Sequence, residues 1–157
     1  MSAYRNVLAA VCCGVALGGV LVLGPASAQE DAAQATYQEI EQMFGSVPTF
    51  IRLFPAAGVA AAWEEMKTIQ LNPETALDGK TKELIGLAVA AQIPCTYCIY
   101  AHTAAARMYG ATDEEIAEAV AMAAITRHWS TFLNGMQVDL PTFQADFDMM
   151  LEAAAAH

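Results

Sequence analysis

The chain has 157 residues, is 56% hydrophobic, and carries 17 acidic against 7 basic side chains for a formal net charge of −10. A mean hydropathy of +0.35 excludes disorder, because so apolar a chain buries enough surface to offset its ordering entropy. The acidity excludes a nucleic-acid binder and an anionic-membrane binder, both of which need a basic stripe, and the length suits one domain.

Met1 to Asn6 carry Arg5 and no acid, Val7 to Leu23 form an apolar run, and Gly24-Pro25 leads to the small-residue exit Ala26-Ser27-Ala28 before polarity returns at Gln29-Glu30-Asp31. This order predicts a secretory signal peptide over residues 1–28, cleaved after Ala28, and hence export, to the periplasm if the cell has two membranes. The alternative is a retained anchor; the run is slightly short for a span and the A-S-A exit favours cleavage. Cys12 and Cys13 lie inside the segment, so of the four cysteines only Cys95 and Cys98 stay in the remainder, expected as a single helical domain over residues 29–157.

The remainder reads as helix throughout. Asp31 to Phe44 is the first amphipathic helix, ended by Gly45; Phe50 to Phe54 is a short helical stretch before Pro55, and Ala56 to Leu71 follows, closed by Asn72-Pro73. Asp78 is placed to cap a helix whose stretch Leu84 to Ile93 is apolar on nearly every face, which predicts burial on all sides. Ile93-Pro94 breaks it. Cys95 to Tyr109 is the next helix, ended by Gly110, and Thr112-Asp113-Glu114-Glu115 is a capping box opening a long helix to about Asn134-Gly135. Leu140-Pro141-Thr142 starts a final acidic helix through Leu151. The fold class is all-α, with a buried helical hairpin at its centre.

A C-x-x-C closes too short a loop to staple a fold, so in an oxidising compartment the pair points to chemistry. At about 100° per residue, Cys95, Cys98 and His102 share one helical stripe. Pro94 puts Cys95 near the helix N-terminus, where free N–H groups favour a thiolate, and His102 is the i+4 neighbour of Cys98. If the chain folds back at Ile93-Pro94, Glu83 lies opposite His102 and can orient its imidazole, the logic of a triad with a cysteine nucleophile.

Glu83, Cys95, Cys98 and His102 form the pattern E-x11-C-x2-C-x3-H. With V-P-x-F-x-R-L-F at Val47 to Phe54, L-x-x-K-x-K-E-L-I at Leu77 to Ile85 and G-A-T-D-E-E-I at Gly110 to Ile116, it resembles the AhpD-like branch of the carboxymuconolactone decarboxylase family over roughly Val47 to Asn134. The resemblance implies an all-helical fold, homo-oligomers (trimers or hexamers) and thiol-dependent peroxidase or disulfide-reductase chemistry. It makes Cys95 and Cys98 the redox pair, His102 the proton acceptor and Glu83 its partner. The substrate is then a peroxide or disulfide, with a thiol electron donor and no cofactor. Two departures stand out: Tyr97 precedes the second cysteine where the best-studied peroxidase members carry a histidine, and those members are cytoplasmic. The decarboxylases that name the family lack the cysteine pair.

Plainer assignments compete. The pair could be a permanent disulfide, or the four residues could ligate zinc, although structural zinc favours more thiolates and a second knuckle. His102 alone would be a surface histidine and Glu83 alone a first-turn helix acid. Tyr97, Tyr100 and the Arg127-His128-Trp129 interruption are expected in core packing. Three hypotheses follow: an exported thiol oxidoreductase with Cys98 as nucleophile, a non-redox acid–base enzyme using Glu83 and His102, and a helical assembly module with a closed disulfide.

Overall fold

Glycine, proline and capping side chains divide the chain into helices where the sequence punctuates it. The computed structural model describes residues 25–156, so the expected signal segment, apart from its last four residues, lies outside the described residues. The helices are α1 (Pro25–Phe44), α2 (Thr49–Arg52), α3 (Ala56–Glu65), α4 (Gly79–Gln92), α5 (Thr96–Met108), α6 (Asp113–Gly135) and α7 (Leu140–Ala155), with a π-helical turn at Met66–Gln70 after α3. Among the described residues there is no strand, and no helix is long and apolar enough to cross a membrane.

The chain divides into two compact units, the first ending at Trp63 and the second beginning at Glu64. In the first, α1 buries Ala33, Thr36 and Ile40, spaced i, i+3, i+7 along one stripe. Residues 25–30 are already helical, ahead of the expected beginning at Asp31, since the intervening alanines are strong helix formers. Gly45 ends it with a φ of +79°, a left-handed conformation that a side chain would oppose. Phe44 meets Trp63 edge to face, ring centroids 6.1 Å apart.

The second unit carries the helices of interest. Asp78 caps α4, its carboxylate accepting the Thr81 N–H at 2.7 Å. Gly110, at φ +83°, ends α5 in a Schellman motif: the Ala111 N–H donates to Ala106 O and the Gly110 N–H to Arg107 O. The Thr112–Glu115 capping box opens α6 with both reciprocal hydrogen bonds formed. α4 packs against α5 and α6 and buries Glu83, Leu87 and Ala90, opposite buried Ala106 of α5 and Ala123 of α6. Burial of α4 is confined to that side. Ile85 and Val89 are 49% and 54% exposed, Val89 in an open groove beside Met122 and Thr126 of α6, which corrects the expectation of a helix covered all round: two neighbours cover only part of a cylinder.

α4 and α5 run back antiparallel about Pro94. The Tyr109 ring lies over Gly79 and the His102 ring over Gly86, two pairs each centred on that proline. Polar ties join α4 to α6 at both ends: Lys80 Nζ donates to Glu115 Oε1 at 2.7 Å, and at the other end Arg127 Nε donates to Gln92 Oε1 at 2.6 Å while Gln92 Nε2 donates to Ala123 O.

The hydrogen bond from Lys80, then that from the Thr112 N–H, holds the Glu115 carboxyl below its ordinary range. A group whose pKa is lowered by folding stabilises the fold above its unfolded value and loses that contribution as pH falls through the folded one. Glu115→Gln is therefore expected to be less stable than the unaltered protein near neutral pH, with the difference closing in acid. Urea midpoints for the two across pH 3 to 7 check this, and a difference independent of pH would contradict it.

Candidate active site

The four residues singled out by the sequence sit on α4 and on the first two turns of α5, within the second unit. Cys95 is the N-cap of α5, and its Sγ accepts the Cys98 N–H at 3.2 Å. Cys95 and Cys98 are joined by a disulfide with Cα atoms 5.3 Å apart, and both residues are partly exposed. The sulfur of Cys95 thus takes one of the N–H groups that a helix leaves unpaired at its start, the environment that favours a thiolate when the bond is open.

On the facing helix Glu83 is 2% exposed. Its Oε2 lies 2.7 Å from His102 Nδ1, and His102 itself is 23% exposed. The hairpin therefore brings together the carboxylate and imidazole that its symmetry places opposite each other. Because a carboxylate oxygen accepts, Nδ1 carries the proton, and in a neutral ring Nε2 is left with the lone pair. The structure joins Cys95 to Cys98 and Glu83 to His102; among the described residues no hydrogen bond links the two pairs. Cys98 and His102 stand one helical turn apart on the same face, the spacing at which side chains of a helix meet.

Two residues of the site have no local sequence signal. Gln70, the last residue of the π-turn, donates from Nε2 to Glu83 Oε1 at 3.0 Å, so the buried carboxylate has a donor on each oxygen. Gly86 lies directly under His102: a Cβ there would stand 2.5 to 2.8 Å from Cε1, Nδ1 and Nε2 of the ring. Counting about Pro94 puts Gly86 opposite His102, and Glu83, whose midpoint with His102 falls between Gln92 and Ile93, stands one turn away on the same face of α4. For Gln70 nothing local would have served, because its reach depends on a turn that departs from the α-helix.

Other expectations are corrected. Tyr97 and Tyr100 are 89% and 79% exposed, on the outer side of α5, rather than in the core. Arg127 and Trp129 are exposed as well; Arg127 holds Gln92, and Trp129 packs edge to face with His128 and Phe132 on its own helix. Among the described residues no group of three or more His, Cys, Asp or Glu is arranged to hold a metal ion.

Compared with known proteins, residues 57–139, just over half of the chain, match the family model for the carboxymuconolactone decarboxylase family. The fold is similar to the crystal structure of the alkylhydroperoxidase AhpD core from Rhodospirillum rubrum, with a TM-score of 0.62 and 31% identity, over 80% of this chain and 95% of that one. The chain is also 50% identical over 52 residues to a protein described as uncharacterized protein 4 in the cox locus of Paracoccus denitrificans. That match takes in 33% of this chain and 47% of the relative, so it spans about half the relative's length.

Proposed function

This chain belongs to the carboxymuconolactone decarboxylase family, and within its AhpD-like branch we propose that it is an exported, homo-oligomeric thiol–disulfide oxidoreductase of the alkylhydroperoxidase-like kind. One observation carries this: a disulfide at the N-terminus of α5 shares its helix with a histidine whose Nδ1 lies 2.7 Å from a buried carboxylate.

In the dithiol form His102 Nε2 takes the proton of Cys98. The Cys98 thiolate attacks a substrate disulfide; a new S–S bond forms, the substrate bond breaks, and the departing thiolate takes the proton from the imidazolium. Cys95, favoured as a thiolate by its N-cap position once its proton has passed to solvent, attacks Cys98 Sγ, which closes the internal disulfide and expels the second substrate half as a thiolate that takes a proton from solvent. Two electrons pass from the cysteine pair to the substrate. A hydroperoxide in the same place is cleaved at its O–O bond, leaving an alcohol and a Cys98 sulfenic acid, which Cys95 resolves with loss of water. An external dithiol returns the two electrons. It attacks Cys98 and expels Cys95, the better leaving group, and the same steps in reverse oxidise a client dithiol.

Tyr97 in place of the histidine found in the best-studied peroxidase members turns the proposal toward disulfide exchange. A second reading, acid–base catalysis without sulfur, is favoured by the Glu83–His102 pair being formed without either cysteine. The reduction potential of the Cys95–Cys98 pair separates the two: an oxidoreductase needs it within reach of cellular thiols, and an acid–base enzyme does not.

A further inference from the structure

We propose that Gln70 is a positioning residue of this proton relay: its amide fixes the orientation of the Glu83 carboxylate and thereby decides which nitrogen of His102 is left free as the base. The inference deepens the thiol-exchange reading above and rests on it.

The terminal torsion of a glutamate is broad and nearly two-fold, so burial alone does not hold one oxygen toward a neighbour. In this chain the carboxylate is held from both sides. Oε2 faces His102 Nδ1 at 2.7 Å and Oε1 accepts from Gln70 Nε2 at 3.0 Å. Gln70 is brought there by a local departure from the α-helix. Met66–Gln70 wind as a π-turn closed by the Leu71 N–H on Met66 O at 3.1 Å, and widening one turn redirects the side chains that follow it. The segment after it is tied down independently, since Lys82 Nζ donates to Asn72 O at 2.6 Å. Neighbouring residues of α4, Lys82 and Glu83, thus hold Asn72 and Gln70.

The chemistry of an amide suits the position. A buried carboxylate oxygen without a donor is costly, so Oε1 needs one. A lysine would supply a donor together with a full charge, drawing the carboxylate away from the imidazole, and an acid would repel it. A neutral donor satisfies Oε1 and leaves the charge of the carboxylate directed at His102. With Nδ1–H committed to Oε2, Nε2 is the nitrogen able to take a thiol proton.

The test measures alkylation of the reduced protein by iodoacetamide across pH, with mass detection, in Gln70→Leu, Glu83→Gln and the double variant. Each single replacement is expected to slow alkylation about tenfold at neutral pH, the scale of one charge-assisted hydrogen bond. Each should move the profile upward by about one pH unit with the alkaline plateau unchanged. The double variant is expected to be no slower than the slower single, because both act through one carboxylate. Gln70→Asn, which keeps the amide but is one methylene short, should behave as Gln70→Leu does and serves if that variant fails to fold. The proposal is overturned if Gln70 variants leave the profile in place, slow alkylation equally at every pH, or add their full effect to Glu83→Gln. If the Gln70 variants do nothing while Glu83→Gln shifts the profile, the relay stands without Gln70; if Glu83→Gln shifts nothing, the thiol relay itself fails and this proposal with it.

Discussion

Replacing Cys98 by serine is expected to lower disulfide-exchange turnover by at least about a thousandfold, the scale on which enzymes lose rate when a nucleophile is removed. A serine hydroxyl at this position does not ionise near neutral pH, and the imidazole one turn away has no thiol to deprotonate. Cys95→Ser should fail differently. Its Cys98 remains next to His102 and completes one attack, but nothing resolves the product, so a mixed disulfide accumulates. Rapid mixing of the prereduced variants with a small aromatic disulfide, followed by mass detection of the adduct, distinguishes the two. Structural loss is a minor complication, since a disulfide across so short a loop restrains the unfolded chain far less than a long-range staple. An adduct on Cys95 in Cys98→Ser, with none on Cys98 in Cys95→Ser, would exchange the two roles.

Gly86→Ala is expected to impair activity about a hundredfold, as loss of a general base does, although it adds one methyl group and touches no reacting atom. Carbon atoms in contact settle about 3.5 to 4.0 Å apart, whereas the new Cβ would stand 2.5 to 2.8 Å from three atoms of the His102 ring. Either the ring tilts away from Glu83 or α5 moves outward, and both disturb the 2.7 Å contact between Nδ1 and Oε2. Alanine is the better helix former by about 1 kcal/mol, but overpacking of this kind costs about 1 to 3 kcal/mol, so stability should fall as well. Gly135→Ala provides the contrast: nothing lies within 4 Å of its would-be Cβ, at the last position of α6, and it should be neutral or slightly stabilising. Turnover and urea midpoints for both variants test this, and a fully active, fully stable Gly86→Ala would mean that the glycine does not hold the histidine.

The contrast between Gly86 and Gln70 marks what can be read from this sequence. Helix boundaries set by Gly45, Asp78, Gly110 and the Thr112–Glu115 box are local, depending on a few neighbouring dihedrals and hydrogen bonds. The Glu83–His102 pairing is tertiary, yet one assumption, a tight antiparallel return next to Pro94, brings it within one helical turn by counting, since the midpoint of 83 and 102 falls between Gln92 and Ile93. Gln70 lies outside such counting, since its placement depends on a π-turn with no local motif. Exposure was the least legible property. The apolar stretch Leu84 to Ile93 and the two tyrosines after Cys95 look like core residues by composition, but whether they are covered depends on how many helices pack around them. Here α5 and α6 cover only part of α4, leaving Val89 half open in the groove beside α6, and Tyr97 stands exposed on α5.

The most direct test of a redox role is the reduction potential of the Cys95–Cys98 pair in the purified protein. It is measured by equilibration in glutathione or dithiothreitol buffers, thiol trapping and mass detection. A midpoint between about −270 and −120 mV is expected, the span of known thiol–disulfide oxidoreductases. A pair that stays oxidised until below about −300 mV would be a structural disulfide and would contradict a catalytic role for the two cysteines.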